Sequence, residues 1–318
     1  MKNILITGGC GFIGSNFINY ISEKYPELLL INYDKIDYCS NPEYITAKSN
    51  YVLVKNDLNN KDILLMTLKS YNIDTVIHFA AQSHVDNSFG NSIQFTIDNV
   101  LGTHNLLECC RVYGGIKKFL HISTDEVYGE VDLNHSGCTE RSLLNPTNPY
   151  AATKAGAEFL VRSYFHSYKL PIIISRMNNI MGPNQYPEKL IPKFILYLLQ
   201  GKKCTVHGKG ETRRNFVFVD DISNALSLIL LKGELGEIYN IGSDWEYSVM
   251  DILQIIYKKL NISKPFEEIF EYVDDRLFND FRYKVDSSQI KELGWNIEHT
   301  FEEAIDKTIE WVKNKYKN

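Results

Sequence analysis

Apolar residues in this chain come in short runs separated by segments of helical period. Residues 2–7 are one such run, and Gly8-Gly9-Cys10-Gly11-Phe12-Ile13-Gly14 follows it directly. The next segment has apolar positions at Phe17, Ile18 and Ile21, the spacing of one helical face. Further apolar runs at 28–33, 51–54 and 75–79 predict three more strands, with a helix through Ile63, Leu64 and Leu68 before the last. Helical patterns cover roughly 91–112 and 150–168, with strands at 118–122 and 171–175. The runs are continuous rather than alternating, so both faces of the sheet are covered. Strand and helix take turns, which predicts an α/β fold with a doubly wound parallel sheet.

After about residue 177 the alternation loosens, and Pro183, Pro187 and Pro192 punctuate the chain. Later segments predict a strand at 216–219, a helix at 221–231, a strand at 238–241 and helices at 249–260 and 300–315. The expected division is a cofactor-binding domain over 1–176, joined by 216–242. A smaller, interleaved C-terminal substrate-binding domain then takes 177–215 and 243–318.

Gly8, Gly11 and Gly14 lie between a strand and a helix, spaced GxxGxxG. Glycine there permits a tight turn, close approach of backbone to a diphosphate, and close packing of helix on strand. The helix N-terminus adds N–H donors and a favourable dipole. This placement predicts a Rossmann-type dinucleotide site. Asp34, at the end of the second strand, can accept the adenosine ribose hydroxyls and would repel a 2′-phosphate, which favours NAD over NADP. Lys35 works against that preference. Asp57, after the third strand, is either an adenine contact or the N-cap of the next helix.

Tyr150 and Lys154 stand at i and i+4, on one helical face. A nearby ammonium lowers a phenol's pKa, so Tyr150 is the expected base toward an alcohol, with Thr124 donating to the same hydroxyl. Asp125 and Glu126 follow Thr124 at the end of a strand, where ligands bind in open α/β sheets. Two adjacent carboxyls discourage double ionisation, which leaves one acid and one base.

Composition narrows the class. The chain has 318 residues, is 44% hydrophobic and carries a net charge of −5, which gives no basic surface for nucleic acid or acidic lipid. No apolar stretch approaches a membrane span or has the form of a secretory leader, and a cytoplasmic setting is expected. The six cysteines form no CxxC pair or framework, so free thiols are expected, and no motif asks for a metal.

The chain resembles the extended short-chain dehydrogenase/reductases and, among them, the nucleotide-sugar 4,6-dehydratases. The resemblance rests on Thr7–Ser15, Asp34–Tyr38, Phe79–Asp86, Ser123–Gly129, Asn148-Pro149-Tyr150 with Lys154, Pro183-Asn184-Gln185, Glu188–Pro192, Arg214, Tyr239–Gly242, and Arg276 with Arg282-Tyr283. It implies Thr124, Asp125, Glu126, Tyr150 and Lys154 as the catalytic set. It also implies NAD contacts at Gly8, Gly11, Phe12, Ile13, Gly14, Asp34, Lys35, Asp57, Leu58, Ala80, Ala81, Ser83, Asn99 and Ser123, besides Tyr150 and Lys154. Substrate contacts are implied at Ser83, His84, Thr124, Asn179, Lys189, Leu190, His207, Arg214, Asn240 and Arg276.

The implied reaction oxidises glucose C4, removes water across C5–C6 and reduces C6, with NAD recycled and no net redox change. Gln82, Asn279 and His207 depart from bacterial dTDP-glucose enzymes, and Gln82, Asp37–Asn41, Asp86–Asn91 and Phe278-Asn279-Asp280 look more like the UDP-glucose domain of plant rhamnose synthases. The resemblance therefore favours UDP-glucose, and it implies a homodimer through a helix bundle, with epimerase and reductase steps on another polypeptide. An epimerase or decarboxylase of the same fold would use the glycine loop and Tyr150/Lys154 but neither acid. A non-catalytic NAD sensor would need none of the four.

Overall fold

The computed structural model describes residues 1–47, 49–275 and 277–316. The N-terminal part winds β1 (Asn3–Thr7), α1 (Phe12–Lys24), β2 (Leu29–Asp34), β3 (Tyr51–Lys55), α2 (Lys61–Ser70) and β4 (Thr75–His78). The expected helix at 91–112 is three pieces. After α3 (Val85–Gly90) come α4 (Ser92–Phe95), a wider π-helical turn at Thr96–Leu101, and α5 (Gly102–Tyr113). Next come β5 (Lys118–Thr124), α6 (Pro149–Tyr168) and β6 (Ile172–Met177).

The seven-stranded sheet has the order β3-β2-β1-β4-β5-β6-β10, where β10 is Ile238–Ile241, and its pairings are parallel. Strand alternation sends side chains to two cores. Ile4, Ile6 and Leu120 pack with α1 and with α8 (Val219–Lys232), whereas Leu5, Val76 and Phe119 pack with α2, α5 and α6.

The smaller lobe contains β7 (Asn179–Met181), α7 (Leu190–Leu199), β8 (Cys204–His207), β9 (Arg213–Phe218), β11 (Glu246–Ser248), α9 (Val249–Lys259), β12 (Phe270–Val273) and α11 (Phe301–Lys315), whereas α10 (Ser288–Glu292) packs on β10 and buries Ile290 in the core of the large sheet. Phe194, Phe216, Ile252, Phe301 and Ile305 share the smaller lobe's core. Of the segment 216–242, β10 and α8 join the large sheet and its covering layer. Residues 216–218 instead belong to β9, in a three-stranded sheet of order β11-β9-β7. Among the described residues no helix is long and apolar enough to cross a membrane.

Candidate active site

A groove runs along the carboxyl ends of β1, β2, β4 and β5, where successive parallel strands hand over to loops. Gly8 turns with φ +71°, and a Cβ there would stand 2.6 Å from Ala80 N and Cα. At Gly14 a Cβ would stand 2.5 Å from the Gly8 carbonyl oxygen. Gly11 is the N-cap of α1 and brings no side-chain cap, so the first N–H groups of the helix are left for a ligand. Phe12, Ile13, Ala80, Ala81, Ser83 and Ser123 line the groove with these glycines.

Asp34 is buried and accepts from Cys10 N at 2.8 Å, Ile36 N at 2.7 Å and Ser40 Oγ at 3.4 Å. A carboxylate has about four acceptor positions, which leaves one toward the groove. Asp57 and Leu58 line the groove too. The cap of α2 is Asn60, which accepts from Ile63 N at 3.3 Å, while the Asp57 carboxylate takes Asn59 N at 2.7 Å. Ser123 Oγ is buried without a hydrogen-bond partner among the described residues, a polar atom facing a ligand's place. The glycine cradle, the open helix end, Asp34 and Ser123 together fit an adenine dinucleotide.

Asn99 does not reach the groove. It is 1% exposed; its Oδ1 accepts from Gln82 N at 2.7 Å, and its Nδ2 donates to Gln82 O at 3.0 Å and Thr153 Oγ1 at 2.9 Å. It pins the loop after β4 to α6 and acts only by holding that loop.

The catalytic helix starts where the sequence dictates. Asn148 caps α6 by accepting from Ala151 N at 2.8 Å, and Pro149 occupies the first turn. Tyr150 and Lys154 then face the groove from one side. Thr124 Oγ1 donates to Asp125 Oδ1 at 3.2 Å and accepts from Glu126 N at 3.3 Å. Asp125 Oδ2 also accepts from Asn178 Nδ2 at 2.7 Å. Burial first, and the Glu126 charge second, push the Asp125 carboxyl up to about 7. Burial raises Glu126 as well, against a 3.2 Å hydrogen bond from Asn148 Nδ2. Glu126 and Thr124 line the cleft, with Asp125 packed behind them.

One expectation is corrected here. Lys154 does not draw the Tyr150 phenol down. Burial and the Glu126 charge hold that phenol well above its ordinary value. Lys154 Nζ donates instead to Ile122 O at 2.7 Å, and burial lowers its own pKa to about 8.

Beyond Tyr150 the groove opens into a second pocket. Ser83, His84, Asn179, Lys189, Leu190, His207 and Arg214 all line it. Arg214 stacks over the Tyr283 ring at 4.7 Å and donates to Asn279 Oδ1 at 3.4 Å, so its guanidinium is held at the wall. Asn240 is not there. It is fully buried, accepting from Tyr128 Oη at 2.8 Å and donating to Cys138 O at 2.9 Å and Asp286 O at 3.1 Å. Tyr128 in turn accepts from Arg176, whose guanidinium pairs with the buried Glu158 at 2.6 Å. Asn240 therefore braces the turn that carries the acids and cannot contact a substrate. Arg276 lies outside the described residues.

Residues 183–189 form a strap across both compartments, with Gln185, Glu188 and Lys189 lining each. Asn16 Nδ2 donates to Pro183 O at 3.0 Å, Tyr38 Oη to Glu188 Oε1 at 3.0 Å, and Lys189 Nζ to Ser83 O at 2.7 Å. Sequence reasoning missed the site roles of Asn148, Asn178 and Glu188. Asn148 was legible as a cap before proline. Asn178 carried one signal, its position just past the carboxyl end of a sheet strand.

Residues 5–308 match the family model described as GDP-mannose 4,6 dehydratase. A trifunctional UDP-glucose 4,6-dehydratase/3,5-epimerase/reductase of Arabidopsis thaliana is 48% identical over 98% of this chain. The chain spans 47% of that relative, about half its length. A dTDP-D-glucose 4,6-dehydratase of Dictyostelium discoideum is 44% identical, over 99% of this chain and 82% of the relative. Among solved structures, the dTDP-glucose 4,6-dehydratase DesIV of Streptomyces venezuelae, with NAD and TYD bound, superposes with a TM-score of 0.93. It shares 35% identity, and the match covers 99% of this chain and 98% of that one.

Proposed function

We propose, since the chain belongs to the GDP-mannose 4,6 dehydratase family, that it is an NAD-dependent nucleotide-sugar 4,6-dehydratase acting on UDP-glucose in preference to dTDP-glucose. The observation that carries this reading is the pair of adjacent carboxyls beside Tyr150, Asp125 buried and held near 7 and Glu126 facing the cleft. Bound NAD would supply the acceptor for hydride from C4 and its return to C6. Tyr150, as the phenolate that the positive nicotinamide of bound NAD would favour, takes the proton of the C4 hydroxyl beside Thr124. The new carbonyl acidifies C5–H, and Glu126, facing the cleft, removes that proton. Asp125, still protonated near neutrality, supplies the proton for the departing C6 hydroxyl from behind Thr124, so water leaves. An epimerase would use Tyr150 and Lys154 and have no task for the two acids.

The UDP preference is supported by the higher identity to the plant relative and by the resemblance at Gln82 and Asn279. A homodimer is supported by exposed Ile93, Leu101, Val112 and Phe159 on the paired helices at 92–113 and 149–168. A reducing cytoplasm suits the six unpaired cysteines, and the keto sugar would feed deoxysugar formation. Parallel incubation with UDP-glucose and dTDP-glucose tests the reading, with the 4-keto-6-deoxy product followed by its absorbance in alkali. UDP-glucose should give the larger kcat/KM. A product that is only the C4 epimer would remove the dehydratase assignment.

A further inference from the structure

Lys35 directly follows the carboxylate that would meet the adenosine ribose, so in sequence it is the cation next to a 2′-phosphate's place. Taken alone, it makes the groove half ready for NADP. The structure engages it otherwise. Lys35 Nζ lies 2.9 Å from Asp98 Oδ2 and 3.3 Å from Asp37 Oδ2. Gln82 Nε2 reaches the same two oxygens, at 2.8 Å for Asp37 and 2.9 Å for Asp98. All four residues line the groove, and they come from three segments: the loop after β2, the loop after β4, and the π-helical turn.

The cluster is built rather than incidental. Ile36 has φ +59°, a conformation that a β-branched residue rarely adopts. It folds the chain back so that Asp37 returns to Lys35, and its own N–H is held by Asp34 at 2.7 Å. Strain of this kind persists only where the surroundings over-determine it. Asn99, next to Asp98, clamps the Gln82 main chain at both N–H and C=O, which sets Asp98 and Gln82 in register.

We propose that Asp37 and Asp98, bridged by Gln82, determine dinucleotide specificity by holding Lys35 away from the ribose edge, so that the groove rejects a 2′-phosphate. The inference rests on the dinucleotide reading of the groove given above. One ammonium faces two carboxylates, and Asp34 lines the same groove. An incoming phosphate would have to strip Lys35 of both partners and then lie among those acids. Removing Asp34 alone therefore leaves the cation committed and the groove still closed to NADP.

The test is direct binding of NAD and of NADP to the whole protein by titration calorimetry, with no turnover. The variants are Asp37→Asn with Asp98→Asn, the same pair with Lys35→Met, and Asp34→Ser. The paired variant should bind NADP about tenfold more tightly or better than wild type, the scale of a released close charge pair, while NAD affinity stays within about threefold. Adding Lys35→Met should cancel the gain, and Asp34→Ser alone should give less than the pair. The proposal is overturned if the pair binds NAD normally without gaining NADP. It is equally overturned if the gain survives Lys35→Met, or if Asp34→Ser alone matches it. Wild-type protein that bound neither dinucleotide would remove the underlying reading of the groove.

Discussion

The dinucleotide groove and the substrate pocket meet at Tyr150 but are made of different material. The groove is mostly backbone: a glycine turn, an open helix end and the tips of parallel strands. The pocket is mostly side chains, from β7, β8, β9, α7 and several loops, each held by its own polar contacts. Backbone tolerates exchange of side chains around it but not the intrusion of a Cβ. A wall of side chains yields one contact at a time. Damage to the groove should therefore be all-or-none, and damage to the pocket graded.

The sharpest break is Gly14→Val. Its Cβ would meet Gly8 O at 2.5 Å and Gly9 Cα at 2.8 Å, both main-chain atoms that cannot swing aside. Loss of measurable NAD binding is expected, in calorimetry and in turnover alike; near-normal affinity would show that the turn can relax and that the contrast is wrong. Tyr150→Phe comes next, at the junction. The ring stays packed and the proton acceptor is gone, so conversion should fall by about 10³-fold with NAD affinity nearly unchanged. If transient reduction of the bound cofactor kept its wild-type rate, the base would be another residue.

Asp125→Asn should cost about 10²-fold, and its pH profile says more than its size. The Asp125 carboxyl must hold its proton to act as an acid, and burial with Glu126 beside it raises it to about 7. Wild-type turnover should therefore fall as pH rises through that value. In Asp125→Asn the slower reaction should keep its level through that value. Coincident profiles would exclude Asp125 as the acid. The mildest effect belongs to the pocket wall. Arg214→Gln removes one guanidinium, so KM should rise about tenfold, the scale of one charge-assisted hydrogen bond, with kcat within about twofold. A kcat loss larger than the KM change would move Arg214 from binding to chemistry.

The same difference in material decided what could be seen in the sequence. Periodicity and glycine spacing report backbone, so β1 to β6, the Gly8–Gly14 turn and the Tyr150/Lys154 face were legible. Side chains brought together from distant segments leave no such trace. Asn240 sits in a motif suggestive of substrate, yet it closes a buried chain through Tyr128 to Arg176 and Glu158. Asn99 likewise turns inward from a π-helical turn that the apolar pattern reads as plain helix. The Tyr150 phenol shows the limit for electrostatics. An i,i+4 lysine suggests a depressed pKa, but burial, and after it a carboxylate from another strand's end, hold the phenol up.

The strap at 183–189 sets a condition on timing. It walls the groove and the pocket at once, tied to Asn16, Tyr38 and Ser83 across the opening. On the proposed function, a dinucleotide beneath it would leave only by breaking those contacts, and a nucleotide sugar bound against Lys189 would add to them. Residence of the dinucleotide would then outlast many turnovers. Catalysis of this kind is insulated from its surroundings: its rate follows the supply of sugar nucleotide and ignores the ratio of oxidised to reduced cofactor in the medium outside.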